Sequence, residues 1–89
     1  MRIVPLSMKD AEAFLGRHER HYKVPVEPIC AIGVAEGTEL HGAAVLGRRE
    51  DGDGELAHIY VDGISQGYSL LYGACWRALK ALGYEKAAL

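Results

Sequence analysis

Between Ile29 and Gly47 the chain carries two apolar runs joined by four turn-type residues. The first is Ile29-Cys30-Ala31-Ile32-Gly33-Val34-Ala35. The second is Leu40-His41-Gly42-Ala43-Ala44-Val45-Leu46-Gly47, and Glu36-Gly37-Thr38-Glu39 lies between them. Two β-type runs linked by a short Gly-containing turn read as a β-hairpin. This feature commits the chain to a sheet. Its 89 residues allow one domain, 1–89, and are too few for two.

Other strands and helices arrange themselves around that hairpin. Arg2 to Leu6 is a β-type run whose Pro5 suits an edge strand or a strand end. Ser7 is placed as a helix N-cap, with Asp10 three residues on. Ala11, Phe14, Leu15 and His18 then mark one buried face of a helix from Met8 to about Arg20. Pro25 and Pro28 forbid its continuation. After the hairpin, Arg48 to Gly54 is a polar loop, and Leu56 to Val61 is a third consecutive strand, antiparallel to the one before. Asp62 to Gly67 is a Gly-containing turn opening a long helix from Ser65 or Gln66 to Leu82. Leu71, Ala74, Cys75, Ala78, Leu79 and Leu82 form its apolar stripe. Gly83 stands at the terminating C′ position, and Tyr84 to Leu89 begins a last strand.

The order is β-α-β-β-β-α-β, an α+β (α/β sandwich) fold with two helices packed on a mixed, mainly antiparallel sheet. The crossover through the long helix makes the strand containing His58 to Val61 and the strand Lys86 to Leu89 parallel.

Composition excludes several function classes. A hydrophobic fraction of 49% with 25% charged residues is that of a globular domain. No apolar run reaches the roughly 18 residues of a membrane span, and the N-terminus lacks a signal-peptide core. Residues 26–62 hold two basic and eight acidic residues, whereas both flanks are basic and the whole carries −2. No continuous basic field is available to a nucleic acid. Cys30 and Cys75, far apart and each in an apolar setting, read as reduced buried side chains and point to the cytoplasm. His18 and His21 share a helical face without a third ligand at motif spacing, so no metal site is expected. The Arg17-His18-Glu19-Arg20-His21-Tyr22-Lys23 stretch reads as a solvated helix end or a basic lip. Asp51-Gly52-Asp53-Gly54-Glu55 lacks the spread of ligands that a calcium loop needs.

The crossover turn is the first candidate for chemistry. Its glycines let a ligand approach the backbone, and the helix start offers unpaired N–H groups to a phosphate. His58 and Tyr60, two residues apart on one strand, point to the same face. Either is a candidate general base, with Glu55 a further carboxylate; the alternative for both is packing within the sheet. Tyr68, Tyr72 and Trp76 recur at helical spacing as packing surface or a dimer contact.

The element order and the segments Val61-Asp62-Gly63 and Leu71-Tyr72-Gly73-Ala74-Cys75-Trp76-Arg77-Ala78-Leu79-Lys80-Ala81-Leu82-Gly83-Tyr84 resemble the GNAT N-acetyltransferase superfamily. The likeness is closest to short acetyltransferase-like proteins of bacterial and phage genomes, and it covers nearly the whole chain. It implies acetyl-CoA as co-substrate and an amine as acceptor. The strand before the crossover helix would line up the pantetheine arm. Backbone N–H groups of the following turn would hold the pyrophosphate. Carried onto this sequence, the cofactor positions are Val61, Gly63, Ser65, Gln66, Gly67 and Tyr68, with His58 and Tyr60 as catalytic candidates. The family's Arg/Gln-x-x-Gly-x-Gly/Ala turn is not reproduced, since Gln66 is followed at once by Gly67 and Ser69 stands where the first glycine belongs. The helix and terminal hairpin that usually follow the fifth strand are expected to be lacking. That leads to the expectation of a shortened GNAT-like domain that forms a homo-oligomer. A non-catalytic interaction module of the same fold is the rival reading.

Overall fold

A computed structural model describes residues 1–18, 27–63, 65–84 and 87–88. The order is β1 (Arg2–Leu6), α1 (Met8–His18), β2 (Pro28–Glu36), β3 (Glu39–Arg48), β4 (Gly54–Val61), α2 (Ser65–Ala81) and β5 (Ala87–Ala88). This is the α+β class, in the expected order of elements. The sheet runs β1-β2-β3-β4-β5, antiparallel from β1 to β4 and parallel between β4 and β5. No helix among the described residues is long and apolar enough to cross a membrane.

The central strand explains why the hairpin runs lack a clean apolar–polar alternation. Ala43, Ala44, Val45 and Leu46 of β3 are all fully buried. Successive strand residues point to opposite faces, and these four divide accordingly. Ala43 and Val45 pack with Ala11, Phe14 and Leu15 of α1. Ala44 and Leu46 pack with Leu71, Cys75 and Leu79 of α2. One helix therefore covers each face, and a strand covered on both faces carries an almost continuous apolar run. Gly42 and Gly33 permit this close layering. A Cβ on Gly42 would come within 2.7 Å of Val61 Cγ2 and 3.0 Å of the Tyr60 carbonyl oxygen.

The helix ends follow from local chemistry. The Asp10 N–H donates to Ser7 Oγ at 3.0 Å, so Ser7 is the N-cap. At the end of α2 the Gly83 N–H donates to the Lys80 carbonyl, and the Tyr84 N–H to the Leu79 carbonyl. With Gly83 at φ +96°, this is a Schellman closure. Pro5 lies on the edge strand, where its missing N–H is harmless.

Several expected boundaries shift. β4 begins at Gly54 rather than Leu56, because Gly54 and Glu55 pair with Arg48 and Gly47 of β3 and with β5 on the other side. Leu82 lies beyond α2 and is 53% exposed, so the apolar stripe ends at Leu79. His18 is also exposed, with its ring over Phe14 at 4.4 Å. Tyr84 is no strand residue; it closes the helix and packs beside Gly54. Cys75 is buried and Cys30 half-buried, both as free thiols. Burial pushes the Cys75 thiol up to about 12. Residues 19–26, which hold His21 and Pro25, and Glu85, Lys86 and Leu89 of the expected last strand lie outside the described residues.

Candidate functional site

The candidate residues converge where β4 leaves the sheet for α2. β5 pairs only with Gly54 and Glu55. From Leu56 to Val61 no described strand pairs with the outer edge of β4. Among the described residues, that edge leaves a row of backbone donors and acceptors to an extended ligand. Its contour is broken at Ala57. Val45 pairs with His58 and Leu46 with Leu56, which leaves Ala57 as the extra residue of a bulge.

The strand then runs into the turn. Gly63 has φ +79° and nothing within 4 Å of where a Cβ would stand. The left-handed backbone, not crowding, is what favours glycine here. α2 begins at Ser65, and its first turn contains no acidic residue. Its first N–H groups have no intrahelical acceptor, as at any helix start. Gly67 does a different job. It is buried, with Met1 Sδ and Val61 Cγ1 each 3.0 Å from a Cβ placed there. Gly67 thus lets α2 close down on β4.

The remaining carried-over positions separate around α2. Ala74, Arg77 and Ala78 border a groove against β1 and β2. At 3.6 residues per turn, Tyr68 and Tyr72 fall on roughly the opposite flank, the β4 side. Their rings stack at 6.1 Å, and they are 46% and 36% exposed. Gln66 shares an open groove with Ser69, Leu70 and Arg77, on the flank turned from β4. The structure therefore gathers Val61, Gly63 and Tyr68 beside the open edge, with Ser65 starting the helix, and directs Gln66 elsewhere.

His58 and Tyr60 share the α1 face of β4, in register with Val45 and Ala43. Tyr60 packs beneath α1. Its ring stacks on His18 at 5.0 Å and lies 6.2 Å from Phe14. His58 and Glu55 are half-buried. No group of three or more metal-ligating side chains exists among the described residues.

One pair at this end had no signal in the sequence. In the β2–β3 register Val34 faces Gly42 and Ala35 faces Leu40, so His41 is an extra residue in a second bulge. Across the other side of β3, Gly42 pairs with Val61, which sets His41 opposite the turn after β4. The Asp62 N–H donates to the His41 carbonyl at 2.8 Å, and Nδ1 lies 2.9 Å from Asp62 Oδ1. Glu39 is 3.8 Å from Nε2. The hydrogen bond to Asp62 holds the His41 imidazole above its ordinary value. Burial opposes this, while the charges of Asp62, Glu39 and Glu36 add to it. With Nδ1 donating to Asp62, neutral His41 keeps Nε2 as a proton acceptor. The β3–β4 register, with Gly42 opposite Val61, joins these residues 21 positions apart, and neither residue type nor spacing predicts that.

Compared with known proteins, the chain matches no family model, no curated protein and no solved structure.

Proposed function

We propose that this protein is an acetyl-CoA-dependent N-acetyltransferase-like domain of GNAT-like arrangement, acting on an amine. The observation that carries the reading is the open outer edge of β4 leading into the Gly63 turn and the start of α2, with a parallel strand beyond. An extended pantetheine arm would pair with the Leu56–Val61 backbone. The pyrophosphate would rest on N–H groups at Gly63, Ser65 and Gln66, favoured by the helix dipole. The exposed Tyr68–Tyr72 pair offers an apolar wall beside the arm. In the reaction the amine nitrogen attacks the thioester carbonyl, the C–S bond breaks, and the CoA thiolate leaves. The proton lost by the amine passes to a base, for which His58 is the first candidate and Tyr60 the second. The free thiols of Cys30 and Cys75 support a cytoplasmic setting.

Calorimetric titration with acetyl-CoA and CoA tests this. Saturable binding that Tyr68→Ala weakens and Gly63→Asp abolishes is expected. No binding at millimolar ligand would sink the proposal.

The rival reading, a self-associating interaction module, is favoured by a different observation. An apolar groove of about 640 Å³ lies between α2 and the β1–β2 edge, lined by Ile3, Pro5, Ile32, Ala78 and Leu82 among others. A second copy of the chain would cover it.

A further inference from the structure

The other side of the sheet has a cleft of its own, remote from the outer edge of β4. It is an open cleft between α1 and the β1–β2–β3 edge with a volume of about 370 Å³, within the range of small-ligand pockets. Its floor is apolar, made by Val4, Leu6, Ala35 and Leu40. Gly33 allows the floor to close, since Leu6 Cδ1 and Leu40 Cδ1 both come within 2.8 Å of where its Cβ would stand.

Charge along the cleft is polarised. Ser7 alone separates β1 from α1, so the chain reverses there and α1 runs back over the sheet. Arg17, near the end of α1, therefore lies toward Arg2 at the start of β1. Asp10 lies at the opposite end, about 10 Å away by helical rise. Arg2 and Arg17, both exposed, line the cleft. Arg2 Nη2 donates to the Gly37 carbonyl at 2.8 Å. Arg17 sits 6.0 Å from the centre of the buried Phe14 ring. Among the described residues, neither has a carboxylate within ion-pair distance. Two arginines bordering an apolar slot suit a carboxylate with an apolar body. Asp10 at the far end leaves the cleft with one net positive charge, which suits a single negative charge better than a multiply charged phosphate.

We propose that this cleft binds a small organic monocarboxylate, its head between Arg2 and Arg17 and its apolar body over Leu6 and Leu40. The site stands apart from the acetyl-CoA reading and does not depend on it.

Amide chemical shifts of the full chain, titrated with hexanoate, test it. Hexylammonium and inorganic phosphate serve as the contrasting probes. Saturable shifts clustered at Ala13, Ala35 and Thr38 are expected with hexanoate and not with the other two. Arg17→Gln and Arg2→Gln should each weaken hexanoate by about tenfold or more, as the loss of a charge-assisted hydrogen bond implies. Ala13→Leu, on the exposed side of α1, should block binding sterically while leaving the arginines and the folded spectrum intact. The proposal is overturned if hexanoate produces no saturable shifts, if hexylammonium binds the same residues equally well, or if folded Ala13→Leu and Arg17→Gln bind as the parent does.

Discussion

His41 occupies the bulge of β3 and clamps the turn after β4 through two hydrogen bonds to Asp62, one backbone and one side-chain. Because the folded protein holds the imidazole above its ordinary value of 6.5, folding is linked to its protonation. The stabilisation is fully present below the unfolded value and is lost as pH rises through the folded one. Denaturant unfolding should therefore show greater stability at pH 6 than at pH 8, and His41→Asn should flatten that difference. A parent protein equally stable at both would refute the linkage. The glycines give a second prediction at this scale. A Cβ at Gly42 meets two valine methyls and the Tyr60 carbonyl oxygen, none of which can swing aside. At Gly33 it meets the ends of two leucine side chains, which can. Gly42→Ala should cost about 1–3 kcal/mol by overpacking, and Gly33→Ala less. Equal losses in denaturant melts would show that the β3–β4 layer yields as easily as the leucines do.

At the scale of elements, both helices are bounded by chemistry that the chain carries locally. Ser7→Ala removes the cap of α1 and should cost about 1 kcal/mol. Gly83→Ala forces a left-handed Ala and should cost about 1–2 kcal/mol. In a domain of this size each kcal/mol lowers the melting temperature by about 4–8 °C, so a thermal melt resolves both. Unchanged melting would mean that the ends are held by packing alone. The strands carried a different kind of legibility. β2 and β3 stand out as apolar runs because their turn is polar and β3 is buried on both faces. The bulges at Ile29, His41 and Ala57 are hidden from the sequence, since each arises from the pairing between strands and not from the residue types. Helical spacing extends the α2 stripe to Leu82, but α2 ends at Ala81 and Leu82 is exposed. An apolar residue at the right spacing is buried only while the helix lasts, and the Schellman closure ends it one residue earlier.

At the scale of the molecule, two unlike surfaces flank α2. Toward β4 lie the open strand edge and the Tyr68–Tyr72 pair. Toward β1 and β2 lies the apolar groove that includes Ile3, Ile32 and Leu82. If a second copy covers that groove, the measured mass should rise with concentration. Leu82→Glu, at a position already 53% exposed, should return the protein to a folded monomer. A parent mass that stays monomeric at every concentration would argue against the self-associating reading.

By itself the sequence determined the class, the element order, the caps and the parallel closing strand, because each is set by local propensity, turn chemistry or short-range periodicity. Tertiary structure alone decided which residues meet across the sheet. The strand register brought His41 to Asp62, helix phase turned Gln66 away from β4 while Tyr68 faced it, and the packing of α1 stacked His18 on Tyr60. The reversal at Ser7 set Arg17 toward Arg2. Those pairings depend on a single residue of register or about a third of a helical turn, differences too small for composition and spacing to encode.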